Sequence, residues 1–120
     1  MVCGHTPPRM GLELARRAKV SKAESDFAIG EIILQGHTDP HAAQAPRESI
    51  AEGLDLIEGA ALAGHRQAIS ALAATFHTGL FRATADAFLL KPDAALSACW
   101  ERAKEKPAMA RLCVDKRKQH

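Results

Sequence analysis

Apolar residues in the middle of the chain recur at helical spacing. Ile50, Leu54, Ile57 and Ala61 fall at i, i+4, i+7 and i+11, one face of an amphipathic helix starting near Arg47. Gly64 follows, a residue suited to the left-handed turn that ends a helix. Ala68, Leu72, Ala73 and Phe76 form a second face, stopped by Gly79. Asp93 then caps a helix carrying Leu96, Cys99, Trp100 and Ala103 inward, and Pro107 breaks the chain before a last helix over about 108–117. Upstream, Pro7 and Pro8 open a helix over about 9–23. Asp26 caps the next, which carries Phe27, Ile29, Ile32, Ile33 and Leu34 to a stop at Gly36. Two long connections remain. HTDPHAAQAP is broken by Pro40 and Pro46, and GLFRATADAFLLKP has room for a short helical turn over 83–88. No β alternation runs for more than a few residues, so the pattern predicts six helices and an all-α fold.

The helices are self-similar. The second, fourth and sixth align Ile29-Gly30, Leu72-Ala73 and Leu112-Cys113, a large residue followed by a small one, at offsets of 43 and 40. Ile33 and Phe76 follow in two of the three, and then Gly36 and Gly79. The first, third and fifth align Leu14-Ala15, Leu56-Ile57 and Cys99-Trp100, each with alanine three residues on, at offsets of 42 and 43. Two interleaved patterns with nearly one period indicate stacked helix pairs. Small residues at Gly30, Ala73 and Cys113 let paired helices approach closely.

These residues resemble the Sel-one-like repeat, a relative of the tetratricopeptide repeats, over about residues 10–115. The resemblance is carried by Ala68, Leu72, Ala73, Phe76 and Gly79, by Cys99, Trp100 and Ala103, and by Leu56, Ile57, Ala60, Ala61 and Gly64. It implies antiparallel helix pairs of roughly forty residues stacked as a short right-handed α-solenoid. It departs from the family at Phe76 and Ile33, where a tyrosine is usual, and in both long connections. Cys99 and Cys113 also miss the spacing at which cysteine-rich members staple their units. The implied organisation is a flexible tail over 1–8, one helical-repeat domain over 9–117 with two and a half to three pairs, and a short tail over 118–120.

Composition narrows the function. With 120 residues the chain makes one domain, and 47% apolar and 25% charged residues are ordinary for a globular one. Aromatics reach only 4%, too few to stack single-stranded bases. The net charge of +2 is concentrated in Arg16, Arg17, Lys19 and Lys22 and in residues 116–118. Duplex DNA binding through Arg16, Arg17 and Lys19 is therefore a secondary alternative without a dense basic stripe. Cys3, Cys99 and Cys113 give an odd count with no metal spacing. They read as reduced thiols, with a Cys99–Cys113 bridge left open if adjacent helices align. The first ten residues lack a signal-peptide core and no window approaches ~20 apolar residues, which places the expected protein in the cytoplasm without a membrane partner.

His37, Asp39 and His41 offer metal-ligand chemistry. Pro40 denies them helical i, i+4 geometry, and a third ligand would have to come from His77 or Cys113. The plainer reading is a solvated loop, with a metal site or small enzyme as the alternative. Ser49, Ser70 and Ser97 lack a nucleophile elbow, and no glycine loop cradles phosphate. His65 reads as a turn residue. The expectation is a non-catalytic module without a cofactor, an adaptor or an immunity-type inhibitor, that binds another protein or peptide. The resemblance puts its groove on the first helix of each pair: Phe27, Glu31 and Leu34, then Ser70, Ala74 and His77, then Ala110, Val114 and Arg117. The open ends of such a stack also leave room for a second copy.

Overall fold

The computed structural model describes residues 8–42 and 44–119, with side chains from Lys22 onward. Of the expected tail over 1–8, residues 1–7, Cys3 among them, lie outside the described residues, as do the side chains of Glu13, Leu14, Ala15, Arg16, Arg17 and Lys19, while Pro8 already opens the first helix. The fold is mostly helical: α1 (Pro8–Thr38), α2 (Ile50–Leu62), α3 (Arg66–Thr78), α4 (Ala94–Glu105) and α5 (Ala110–Lys118). A two-stranded antiparallel hairpin, β1 (Leu80–Arg82) and β2 (Ala87–Leu90), sits between α3 and α4.

The two helices expected before Gly36 are one continuous helix. No glycine or proline falls between Ala23 and Asp26. Asp26, expected as a cap, lies inside the helix and takes an ion pair from Lys22 Nζ at 2.8 Å, four residues back. The helix also runs past Gly36 and ends after Thr38, where the residue before Pro40 is biased away from helical geometry. Gly36 serves packing instead of termination: a Cβ there would stand 2.5 Å from Pro46 Cγ.

The later boundaries follow local chemistry. Ser49 and Glu52 form a reciprocal capping box that starts α2. Gly64, at φ +92°, turns the chain after it. His65 caps α3 by accepting the Ala68 N–H at Nδ1, 3.2 Å away, which bears out its reading as a turn residue. Asp93 caps α4 by accepting the Leu96 N–H at 3.0 Å. The connection after Gly79 does hold a helical turn, though only over Ala83–Ala85 of the expected 83–88, and the residues on either side form a hairpin that pairs Phe81 with Phe88 and Arg82 with Ala87. A short 3-10 turn and Asp86 in the left-handed region make its tip.

Packing is organised in two antiparallel pairs. The second half of α1 lies on α2, with Phe27 near His65, Gly30 against Gly53 and Ile57, and Gly36 under Pro46. At its centre a Cβ on Gly30 would meet Gly53 O at 2.8 Å, so the backbones meet directly. In the other pair, α3 on α4, Ser97 Oγ donates to Ala73 O at 2.9 Å. The Asp93 N–H donates to Phe76 O at 2.8 Å. Gly30 and Ala73 are 43 residues apart, and each is the small residue at its pair's crossing, as expected. The burial of Ile57 and Ala60 is repeated at the same offset by Trp100 and Ala103. Ile29 and Leu112, the large residues aligned with buried Leu72, are exposed.

α5 packs on α4 and reaches across to α2. Cys113, on α5, is disulfide-bonded to Cys99, on α4, with Cα atoms 5.7 Å apart. This corrects the expectation of reduced thiols. The turn at Pro107 brings two short helices antiparallel, and both cysteines sit on the facing stripes.

Candidate functional site

The groove expected from Phe27, Glu31, Leu34, Ser70, Ala74, His77, Ala110, Val114 and Arg117 does not assemble as one surface. Leu34, Ala110 and Val114 are core residues, buried among the helices. Leu34 faces Gly53, because α1 turns that side toward α2. Phe27 is half-buried against the core, its ring 5.0 Å from the His65 imidazole. Glu31 is half-buried, and that burial raises its carboxyl above the usual range. Ser70, Ala74 and His77 do lie exposed along one stripe of α3.

Arg117 is not free to greet a ligand. Its Nε donates to Glu58 Oε2 at 2.6 Å, and its Nη2 donates to Glu58 Oε1 at 2.8 Å and to Asp55 Oδ1 at 2.5 Å. Glu58 is 1% exposed. Burial pushes its carboxyl up, outweighing the Arg117 fork that pulls it down, with Asp55 adding to the rise. Glu58 raises the Arg117 guanidinium in turn. The partners are 59 positions apart, so no local sequence pattern could reveal the fork.

The His37–His41 loop has other engagements. His37 Nε2 lies 2.7 Å from Glu48 O, and Asp39 Oδ1 accepts the His41 N–H at 2.8 Å, an Asx turn. Cys113, one of the two third ligands considered, is in the disulfide. Among the described residues, no three His, Cys, Asp or Glu side chains are grouped to hold a metal ion. No described helix is long and apolar enough to cross a membrane.

Two features went unread in the sequence. A cleft of about 610 Å³ opens where α1 passes the α2–α3 turn, lined by Lys22, Ala23, Asp26, Gly59, His65 and Arg66 among others. The other is the hairpin, whose Phe81 and Phe88 stack edge to face at 5.1 Å while remaining 44% and 50% exposed. Leu89 beside them is exposed too. Only four phenylalanines occur in the chain, and two stand in solvent here. Their signal was the pairing of LFR with AFLL about a polar tip, too short to register as alternation. The hairpin leaves α3 at Gly79, two residues after His77, so the exposed stripe of α3 runs to its root.

The chain matches no protein-family model, no curated protein and no solved structure.

Proposed function

We propose that this chain is a non-catalytic protein-binding module, an adaptor or an immunity-type inhibitor, built on tetratricopeptide-like helix pairs of the Sel-one-like kind. The pairs α1/α2 and α3/α4, meeting at small residues 43 positions apart, support the repeat reading. The observation that carries the binding role is the Phe81–Phe88 stack, held out in solvent by a hairpin. Exposed aromatics cost solubility, and aromatic anchors dominate protein interfaces. The binding surface in this reading is the hairpin together with Ser70, Ala74 and His77, replacing the continuous groove on the first helices. A single partner of mixed polarity fits it better than an acidic or nucleic one, since α3 offers small and weakly polar side chains there.

The compartment turns on the cysteines. The Cys99–Cys113 bond persists in oxidising surroundings, whereas a cytoplasmic chain would meet reductants able to open it. In the cytoplasmic placement proposed for this chain, the bond is therefore open to reduction.

The test is capture of partners by the wild type and by Phe81→Ser/Phe88→Ser, followed by titration of the purified partner. The double variant is expected to bind at least about thirtyfold more weakly, the loss typical of hot-spot truncation, with an unchanged far-ultraviolet spectrum. Equal affinity would remove the hairpin from the interface.

A further inference from the structure

The C-terminal helix is held by two clips on one face. α5 has nine residues and starts without a side-chain cap, shorter than the ~12–15 residues at which an isolated helix is even marginal in water. Its buried side chains are Ala110, Cys113 and Val114, while Leu112 faces solvent. Two bonds supplement that small contact. Cys113 is joined to Cys99 on α4, and Arg117, one turn later, forks onto Glu58 and Asp55 on α2. Arg117 also forms part of the wall of a cleft of about 210 Å³ lined by Leu54, Phe76, Leu90 and Leu96.

We propose that α5 is a redox-controlled lid whose ion pair gates the disulfide. Both sulfurs belong to buried residues, Cys113 fully and Cys99 nearly so, and thiol–disulfide exchange requires access. A dithiol therefore reaches the bond when α5 lifts, and lifting α5 means pulling Arg117 off Glu58. Exchange then breaks the Cys99–Cys113 bond. The dithiol supplies two electrons and two protons, leaving thiols on both cysteines, and departs as its own cyclic disulfide. With the covalent clip gone, α5 is held by the fork and three buried side chains. It detaches readily and opens the cleft at Leu54 and Leu96, while the two helix pairs keep their own seams.

The experiment measures the rate of thiol appearance under dithiothreitol, by alkylation and mass spectrometry, in a Cys3→Ser background. Arg117→Met and, as the milder change, Arg117→Lys, which keeps the charge but loses the fork, are compared with the parent. Amide hydrogen exchange is followed before and after reduction. The expected result is reduction accelerated by about tenfold or more in both variants. Exchange at 110–118 rises by a similar factor on reduction, while 54–61 and 68–76 keep their protection. A Cys99→Ala/Cys113→Ala variant should match the reduced parent and ignore dithiothreitol. Reduction rates within about twofold of the parent would overturn the gating. Protection lost throughout the chain, or retained in α5, would overturn the lid.

Discussion

Helices α2 and α4 take the same place in their pairs, yet they are completed differently. At the seam, α2 offers Gly53 and Ile57 to Gly30, and α4 offers Ser97 and Trp100 to the α3 face around Ala73 and Phe76. The first pair gains contact by bringing backbones together. The second brings a buried hydroxyl onto the opposite backbone, Ser97 Oγ on Ala73 O, and adds the chain's one tryptophan, fully buried in the core beside it. On the other side, Glu58 of α2 lies beneath Arg117, while Glu101 of α4, 43 positions later, stands in solvent beside Lys104. One spacing pattern thus supports two kinds of seam, and what each pair tolerates should differ accordingly.

The largest effect belongs to the tryptophan seam. Trp100 is fully buried, and its Nε1 has no hydrogen-bond partner among the described residues. Trp100→Ala removes the largest core side chain and is expected to cost about 3–5 kcal/mol, read from urea unfolding. A cost below about 1 kcal/mol would mean that α3 and α4 are held by something other than this ring.

The close-contact seam should fail by crowding. Gly30→Ala puts a methyl 2.5 Å from Ile57 Cγ1 and 2.8 Å from Gly53 O. Neither the carbonyl nor the buried, β-branched isoleucine can turn aside, so the helices must separate, at about 1–3 kcal/mol. Gly59→Ala is the control on the same pair. A Cβ there meets nothing within 4 Å, and alanine in a helix interior should stabilise by about 0.5–1 kcal/mol. Equal and small effects at both glycines, by thermal or urea unfolding, would remove the backbone contact from the explanation.

Much of this was legible in the residues because it depended on local chemistry. Asp93, Gly64, Gly79 and the stripe Ile50–Leu54–Ile57–Ala61 mark helix ends and faces wherever they occur. Gly30 and Ala73 announced close approach by their smallness, although nothing named the partner helix. The errors fell where two local rules competed or where the cause lay far along the chain. Asp26 suits a cap and also an ion pair with Lys22, and an uninterrupted helical run decided for the pair. Gly36 resembles a stop and is a landing place for Pro46, ten residues on. Leu34 and Val114 fit a groove by their stripe, but a stripe does not say which side is covered, and Arg117 is engaged by a carboxylate on another helix.

The smallest effect tests the contrast between Glu58 and Glu101. Burial outweighs the Arg117 fork at Glu58, so its carboxyl titrates above the usual range in the folded protein and within it in the unfolded chain. The folded state therefore holds this proton more tightly. The stability it contributes is complete below the usual carboxylate value and is lost as pH rises through the raised folded value. The rise of the Arg117 guanidinium acts only in strong alkali and leaves this window untouched. Unfolding free energies of the wild type minus those of Glu58→Gln, measured by urea across the acidic range, should fall as pH rises over that interval and then stay level. Other carboxylates largely cancel in the difference. The opposite slope would mean that the fork outweighs burial, and that α5 holds Glu58 ionised in place of merely covering it.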